Sequence, residues 1–280
     1  MAATQTTALP TTTSGSNAGL LLPSFSLWWR EIVRFYRQRA RVVGVIASPL
    51  LFWLVIGSGF GTSFRSNGAA GGQHYLDYFF PGALIMIVLF TAIFTMMSVI
   101  EDRKEGFLLS VLVAPINRAA LVLGKVLGGT VQAVVPGFLV LLLAPAVGFH
   151  LHAMQLVLMT LVLFLNSFCI TAVGFFFAWR MDSTQGFHVV FNIVLLPLWL
   201  LSGALFPASG ASVWMQWVMR VNPLTYGLAA LRQLLYWDMP GVGAGVPSFG
   251  LSLVVTILFG AAMLFAALLW TGRPATKNLG

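Results

Sequence analysis

The sequence predicts an all-α polytopic membrane protein: six transmembrane helices, an N-terminal interfacial amphipathic helix, and a re-entrant outer-leaflet hairpin between spans five and six. Three observations carry this prediction. Of 280 residues, 59% are hydrophobic and 8% charged, against roughly 25% charged in soluble domains, so a soluble fold would lack the polar residues to cover its outside. Six apolar stretches reach the ~20 residues that a helix needs to cross a ~30 Å hydrocarbon core. The basic residues, which leave a net charge of +8, gather at the ends of those stretches, as an anionic lipid surface and membrane topology require.

In chain order, residues 1–24 carry no charge and are rich in Thr, Ser and Ala. They lack the basic start and long apolar core of a signal peptide and are expected to form a disordered tail. Residues 25–41, FSLWWREIVRFYRQRAR, form an amphipathic helix when wound at 3.6 residues per turn: Phe25, Trp29, Ile32, Val33 and Tyr36 share one face and Arg30, Arg34, Arg37 and Arg41 another. That is the pattern of a helix lying in the headgroup plane with its guanidinium groups toward lipid phosphate. A plain basic anchor obeying the positive-inside rule is the alternative.

The spans are expected at about 42–61, 79–100, 120–148, 152–179, 188–206 and 249–271, within a six-span domain over 42–271 that is followed by a C-terminal tail at 272–280. The runs are continuous rather than alternating, and lipid demands that every backbone group be satisfied internally, so helix is preferred to strand. Pro49, Pro81, Pro136, Pro145 and Pro197 are compatible with this, because neighbouring helices re-satisfy freed carbonyls. Gly57/Gly61 and Gly124/Gly128 have the spacing that lets helices approach closely, although a chain with 28 glycines produces such spacings by chance. Cys169, the single cysteine, can form no intrachain disulfide and reads as a small buried hydrophobe.

Orientation follows from the Lys and Arg bias. With the N-terminus inside, twelve basic residues fall on that side, and Arg65, Arg220 and Arg232 on the other. Both termini are therefore expected in the cytoplasm.

Apart from Lys125, expected to snorkel from near the cytoplasmic end of the third span, the spans hold no Asp, Glu, Lys or Arg. Ion-coupled carriers keep titratable groups at membrane depth; here His188 sits at the entrance to span five, and His150 and His152 in the outer turn. No HExxH, paired carboxylates or Ser/His/Asp set appears. A phosphate-loop reading of Gly124-Lys125 fails twice, with Ala119 in place of the first glycine and Val126 in place of Ser or Thr. Neither an enzyme nor an ion-driven engine is legible, so uphill transport would need work from another polypeptide.

Two segments remain. Residues 101–105, Glu101-Asp102-Arg103-Lys104-Glu105, put five consecutive charges after the second span. They lead through Gly106 into an apolar run too short to cross a bilayer, which Pro115 stops. A solvated positive-inside loop and a partner-gripping interfacial helix are both consistent with this block. The second segment, 196–238, contains Ser202-Gly203, Phe206-Pro207, Asn222-Pro223-Leu224-Thr225-Tyr226 and, six residues on, Arg232. It is apolar and rich in interface-seeking aromatics, yet broken by Pro207, Pro223 and Arg220.

Together these two segments resemble the permeases of the ABC-2 type transporter family, of the drug and lipo-oligosaccharide export type. The resemblance spans nearly the whole chain, with both motifs in the expected order. It implies that the loop over 101–119 (Glu101, Asp102, Arg103, Lys104, Glu105, Gly106 and Pro115) is a coupling helix docking on a separate ABC ATPase. It also implies that 207–238 dips into the outer leaflet without crossing, its signature residues being Ser202, Gly203, Pro207, Asn222, Pro223, Tyr226 and Arg232. Arg232 would bind its own hairpin, a partner chain, or an anionic part of the substrate. The chain would bind no cofactor itself, Mg-ATP residing on the ATPase, and would pair with a second permease chain in the bacterial inner membrane. An amphiphilic cargo suits spans rich in Phe, Leu, Met and Trp: a drug or antibiotic first, a lipid or lipid-linked glycan next. An energy-independent facilitator or assembly factor, or an ion-coupled carrier, are the rival readings.

Overall fold

The computed structural model describes residues 20–60, 75–113, 117–237 and 246–272; Pro115, most of the Thr/Ser-rich segment and the C-terminal tail lie outside them. All elements among the described residues are helical. They are α1 Leu21–Arg37, α2 Arg39–Phe60, α3 Tyr75–Lys104, α4 Phe107–Val113, α5 Arg118–Leu141, α6 Ala153–Trp179, α7 Thr184–Ala204, α8 Val213–Val221, α9 Pro223–Leu235 and α10 Phe249–Gly272. Six of these, α2, α3, α5, α6, α7 and α10, are long and apolar enough to cross a membrane.

The expected spans are all present, with different ends. The second runs from Tyr75 to Lys104 rather than 79–100, so four of the five block charges continue a helix instead of forming a loop. The third stops at Leu141, where a short 3-10 turn over Ala144–Val147 takes over around Pro145. The amphipathic helix begins at Leu21 rather than Phe25 and breaks at Gln38, so Arg39 and Arg41 belong to the first span.

Helix α3 is the axis of the bundle. It is apolar on every side, as a helix surrounded by others must be, and α2, α5 and α6 pack around it. Helix α10 lies against α6, where Gly260 leaves room for Cys169, whose Sγ donates to the Thr256 carbonyl at 3.1 Å.

Helix α1 lies across α5. Its buried residues Leu27, Glu31 and Phe35 recur every four positions, one stripe of a helix. The seat is Gly124 and Gly128: a Cβ on Gly124 would fall 2.8 Å from the Leu27 Cβ, and one on Gly128 would fall 3.1 Å from the Glu31 Cβ. The small-residue spacing is therefore used, by α1 rather than by another span.

Helix α7 is irregular. It widens into π turns over Phe191–Leu195 and Leu200–Ala204, and Gly203 leaves the helix at φ 87°. Such turns interrupt the regular ladder and recur where helices carry function.

Candidate functional site: an ion cluster beneath the charge block

The end of the bundle that carries α1 is called proximal, the other end distal. At the proximal end the residues of the charge block are turned inward. Asp102 is fully buried. It receives Arg30 in a bidentate pair, Nη2 to Oδ1 at 2.8 Å and Nη1 to Oδ2 at 3.0 Å, and Arg34 Nη1 at 2.5 Å. Lys125, on α5, also donates to it.

Lys125 does not snorkel. Its side chain is fully buried, and its three ammonium protons match three acceptors: Glu31 at 2.7 Å, the Ser98 hydroxyl at 3.1 Å, and Asp102. Ser98 in turn donates to the second Glu31 oxygen at 2.8 Å. The rim is completed by Arg34 to Glu101 at 3.1 Å and to Glu105 at 3.4 Å, and by Arg41 to Glu101 at 3.1 Å. Four bases, Arg30, Arg34, Arg41 and Lys125, thus meet four acids, Glu31, Glu101, Asp102 and Glu105. Burying charge is tolerable only when it is paired and hydrogen-bonded, and here the sum is neutral.

The cluster corrects the expectation for the arginines. Arg30, Arg34 and Arg41 face acids of their own chain, not lipid phosphate. Burial of the Arg30 side chain acts to lower its pKa, and the hydrogen bond and charge of Asp102, with Glu31 and Glu105, more than offset it, leaving it raised. Glu31 went unnoticed in the sequence, although it is the sole acid of 25–41 and continues the Leu27/Phe35 spacing of the buried face.

Around this knot the other proximal ends are fastened. Arg103 donates to the carbonyls of Trp179 and Met181 and to Asp182 at 2.5, 3.1 and 3.0 Å, holding α3 to the turn between α6 and α7. Arg118 reaches the carbonyls of Thr271 and Gly272 at the end of α10. Helix α4 turns off α3 at Gly106, whose φ of 76° suits only glycine without strain. It is held to α1 through Phe107, over which the Arg30 guanidinium lies at 3.6 Å, and through Leu108, buried against Leu27 and Leu121. Its other side presents Leu109 and Val113, 63% and 87% exposed. Lys104 and Glu105 are the exposed members of the block.

At the distal end, the Gly203 carbonyl is held twice, by the Tyr78 hydroxyl at 2.9 Å and by Arg232 Nη2 at 3.1 Å, and Arg232 lies 4.3 Å over the Tyr78 ring. Arg232 is buried and ties α9 to the end of α7 and to α3. Asn222 caps α9 by accepting from the Leu224 N–H at 3.0 Å, with Pro223 at the first helical position, and donates to the Leu198 carbonyl at 2.5 Å. Tyr226 donates to the Arg220 carbonyl at 2.7 Å, Ser202 to Trp199, and Trp199 to Gly82 at 3.0 Å. Pro207 precedes the short turn Ala208–Gly210 that leads into α8. The structure thus brings the distal motif residues onto the end of α7 and ties both to α3. The proximal block sits at the opposite end of the same helix.

The profile of the ABC-2 type transporter family matches residues 24–236, from within α1 to just past α9. The chain belongs to that family. Proteins similar to it include the daunorubicin resistance ABC transporter permease protein DrrB1 of Streptomyces coeruleorubidus, 25% identical over 75% of this chain and 76% of the relative. The inner membrane transport permease YadH of Escherichia coli K12 is 27% identical over 84% of this chain and 90% of the relative. Nodulation protein J of Rhizobium leguminosarum bv. trifolii is 23% identical over 75% and 80%. As an ABC-2 member the chain is a membrane-embedded transport permease, not itself a catalytic enzyme, and the family works with ABC ATPase subunits. The matched region contains both the ion cluster and the hairpin.

Proposed function

We propose that this permease is the membrane-spanning subunit of an ATP-driven exporter, and that α4 with the exposed end of the charge block is where the ATPase grips it. The observation that carries this reading is the buried cluster joining α1, α3 and α5 directly beside α4. A push on α4 acts on Gly106 and Phe107, and through Arg30 and Asp102 on three helices at once. Leu109, Val113, Lys104 and Glu105 offer the partner an apolar ridge with charges at its base. Movement of α3 then reaches the distal end through Tyr78 and Gly203.

In this reading the proximal end and both termini face the cytoplasm of a bacterial cell, and the permease sits in the inner membrane. A second permease chain and two ATPase subunits carrying Mg-ATP complete the transporter. The hairpin α8–α9 caps the outer end of the path. The cargo is amphiphilic. A drug or antibiotic comes first, supported by the likeness to a daunorubicin resistance permease, and a lipid or lipid-linked glycan comes next.

The test is Glu105→Lys combined with Gly106→Pro. Glu105 is 60% exposed, and proline cannot adopt the positive φ of Gly106, so the variant alters the grip and the corner of α4 while keeping the buried members of the cluster. Co-reconstituted with its ATPase, it is expected to lose stimulation of ATP hydrolysis and export together. Normal stimulation and export would overturn the assignment of α4.

A further inference from the structure

Pairing within the ion cluster divides the arginines of the N-terminal region into two groups. Arg30, Arg34 and Arg41 are spent on the four acids, whereas Arg37 and Arg39 are exposed and make no ion pair among the described residues. These two flank Gln38, where α1 ends and the first span begins. Beside them lies a groove of about 630 Å³, lined by Trp29, Arg30, Val33, Arg34, Arg37 and Gln38. Of its lining cations, Arg30 and Arg34 are paired with acids of the cluster, and Arg37 makes no ion pair among the described residues.

The outward face of α1 fixes what can reach this groove. Leu21, Phe25, Trp29, Val33 and Tyr36 follow one another at spacings of four, four, four and three, and all are exposed. An apolar stripe on a helix contiguous with a membrane span lies in lipid, at the acyl boundary, and Trp and Tyr on it favour the headgroup level. The groove therefore opens among phosphates. Guanidinium is the group whose planar fork matches phosphate oxygens two at a time.

We propose that α1 carries a binding site for the phosphate of an anionic phospholipid headgroup, held by Arg37 in the groove that Trp29 also lines, with Arg39 two residues on adding positive charge. Zwitterionic lipid presents the same phosphate with a cation attached, so the site discriminates by net headgroup charge. The proposal rests on the membrane placement of α1 and is independent of the exporter reading, because its test reads lipid contact rather than transport.

The test uses the full chain in vesicles and the nine tryptophans as reporters. Brominated phosphatidylglycerol or brominated phosphatidylcholine is included at the same low mole fraction, and quenching is compared between wild type and Trp29→Phe to isolate the Trp29 contribution. Phosphatidylglycerol is expected to quench Trp29 in excess of phosphatidylcholine. The double variant Arg37→Gln/Arg39→Gln, on exposed positions outside the cluster, is expected to reduce that preference about fivefold per arginine, from the typical attraction of a basic residue to an anionic surface. Inorganic phosphate at millimolar concentration leaves the preference in place, which separates a lipid site from a free-phosphate site. Equal quenching by the two lipids, a preference untouched by the double variant, or its loss on adding phosphate would each overturn the proposal.

Discussion

Replacing Lys125 with methionine removes the one cation that is wholly enclosed among the described residues. Methionine matches lysine in length and is apolar, so packing against α3 and α1 is kept while three hydrogen bonds and a charge are lost. Glu31 and Asp102 stay buried, 4% and 0% exposed. Removing one partner of a buried ion pair costs about 3–5 kcal/mol, most of it the penalty of the charge left behind. Here Arg30 and Arg34 remain on Asp102, and Ser98 and Arg30 on Glu31, which places the cost near the lower limit, about 3 kcal/mol. For a chain of this size each kcal/mol moves the melting temperature by about 2–4 °C, so a fall of about 6–12 °C is expected in detergent. The decisive measurement is the double variant Lys125→Met/Asp102→Asn: with the lysine gone, neutralising Asp102 relieves an excess of negative charge, and the two effects should fall short of their sum by about 0.5–3 kcal/mol. A single variant that melts with wild type, or strict additivity in the pair, would refute the cluster as described.

Other expectations follow from the helix seats and the distal tie. Gly124→Leu places a Cβ 2.8 Å from the Leu27 Cβ and 2.9 Å from the Ser24 carbonyl, so α1 should lift and trypsin should cut at Arg30 and Arg34 faster than in wild type; unchanged cleavage would count against the seat. Tyr78→Phe alone should lower stability by about 1 kcal/mol, because Arg232 still holds the Gly203 carbonyl. Combined with Arg232→Ala it leaves that buried carbonyl without a donor, and thermal melting should show a loss larger than the sum of the two single effects.

The six crossings were legible because lipid imposes a length and a composition, and every span is a continuous apolar run. Their ends were not. Helix α3 continues through Glu101–Lys104 because Arg30, Arg34 and Lys125 neutralise its acids, and those partners lie between 23 and 72 positions away in the chain. Lys125 was expected to reach for water for the same reason: its acceptor Glu31 is 94 residues distant. The faces of the amphipathic helix were readable from spacing alone, whereas which arginines met acids depended on where α1 crossed α5, which two glycines decide. At the distal end the order of Asn222, Pro223 and Arg232 was visible, but not the Gly203 carbonyl on which Tyr78 and Arg232 converge, since a backbone acceptor leaves no mark in a sequence.

The separation of Glu31 from Lys125 also dictates an order of assembly. When the ribosome has made α1, neither Asp102 nor Lys125 exists, and the glycine seat on the third crossing is still unsynthesised. While the first two crossings are made, the N-terminal helix therefore has neither the lysine that Glu31 binds nor the glycines on which it sits. Only the third crossing supplies them, so the contact that fastens α1 in the finished permease forms no earlier than that crossing.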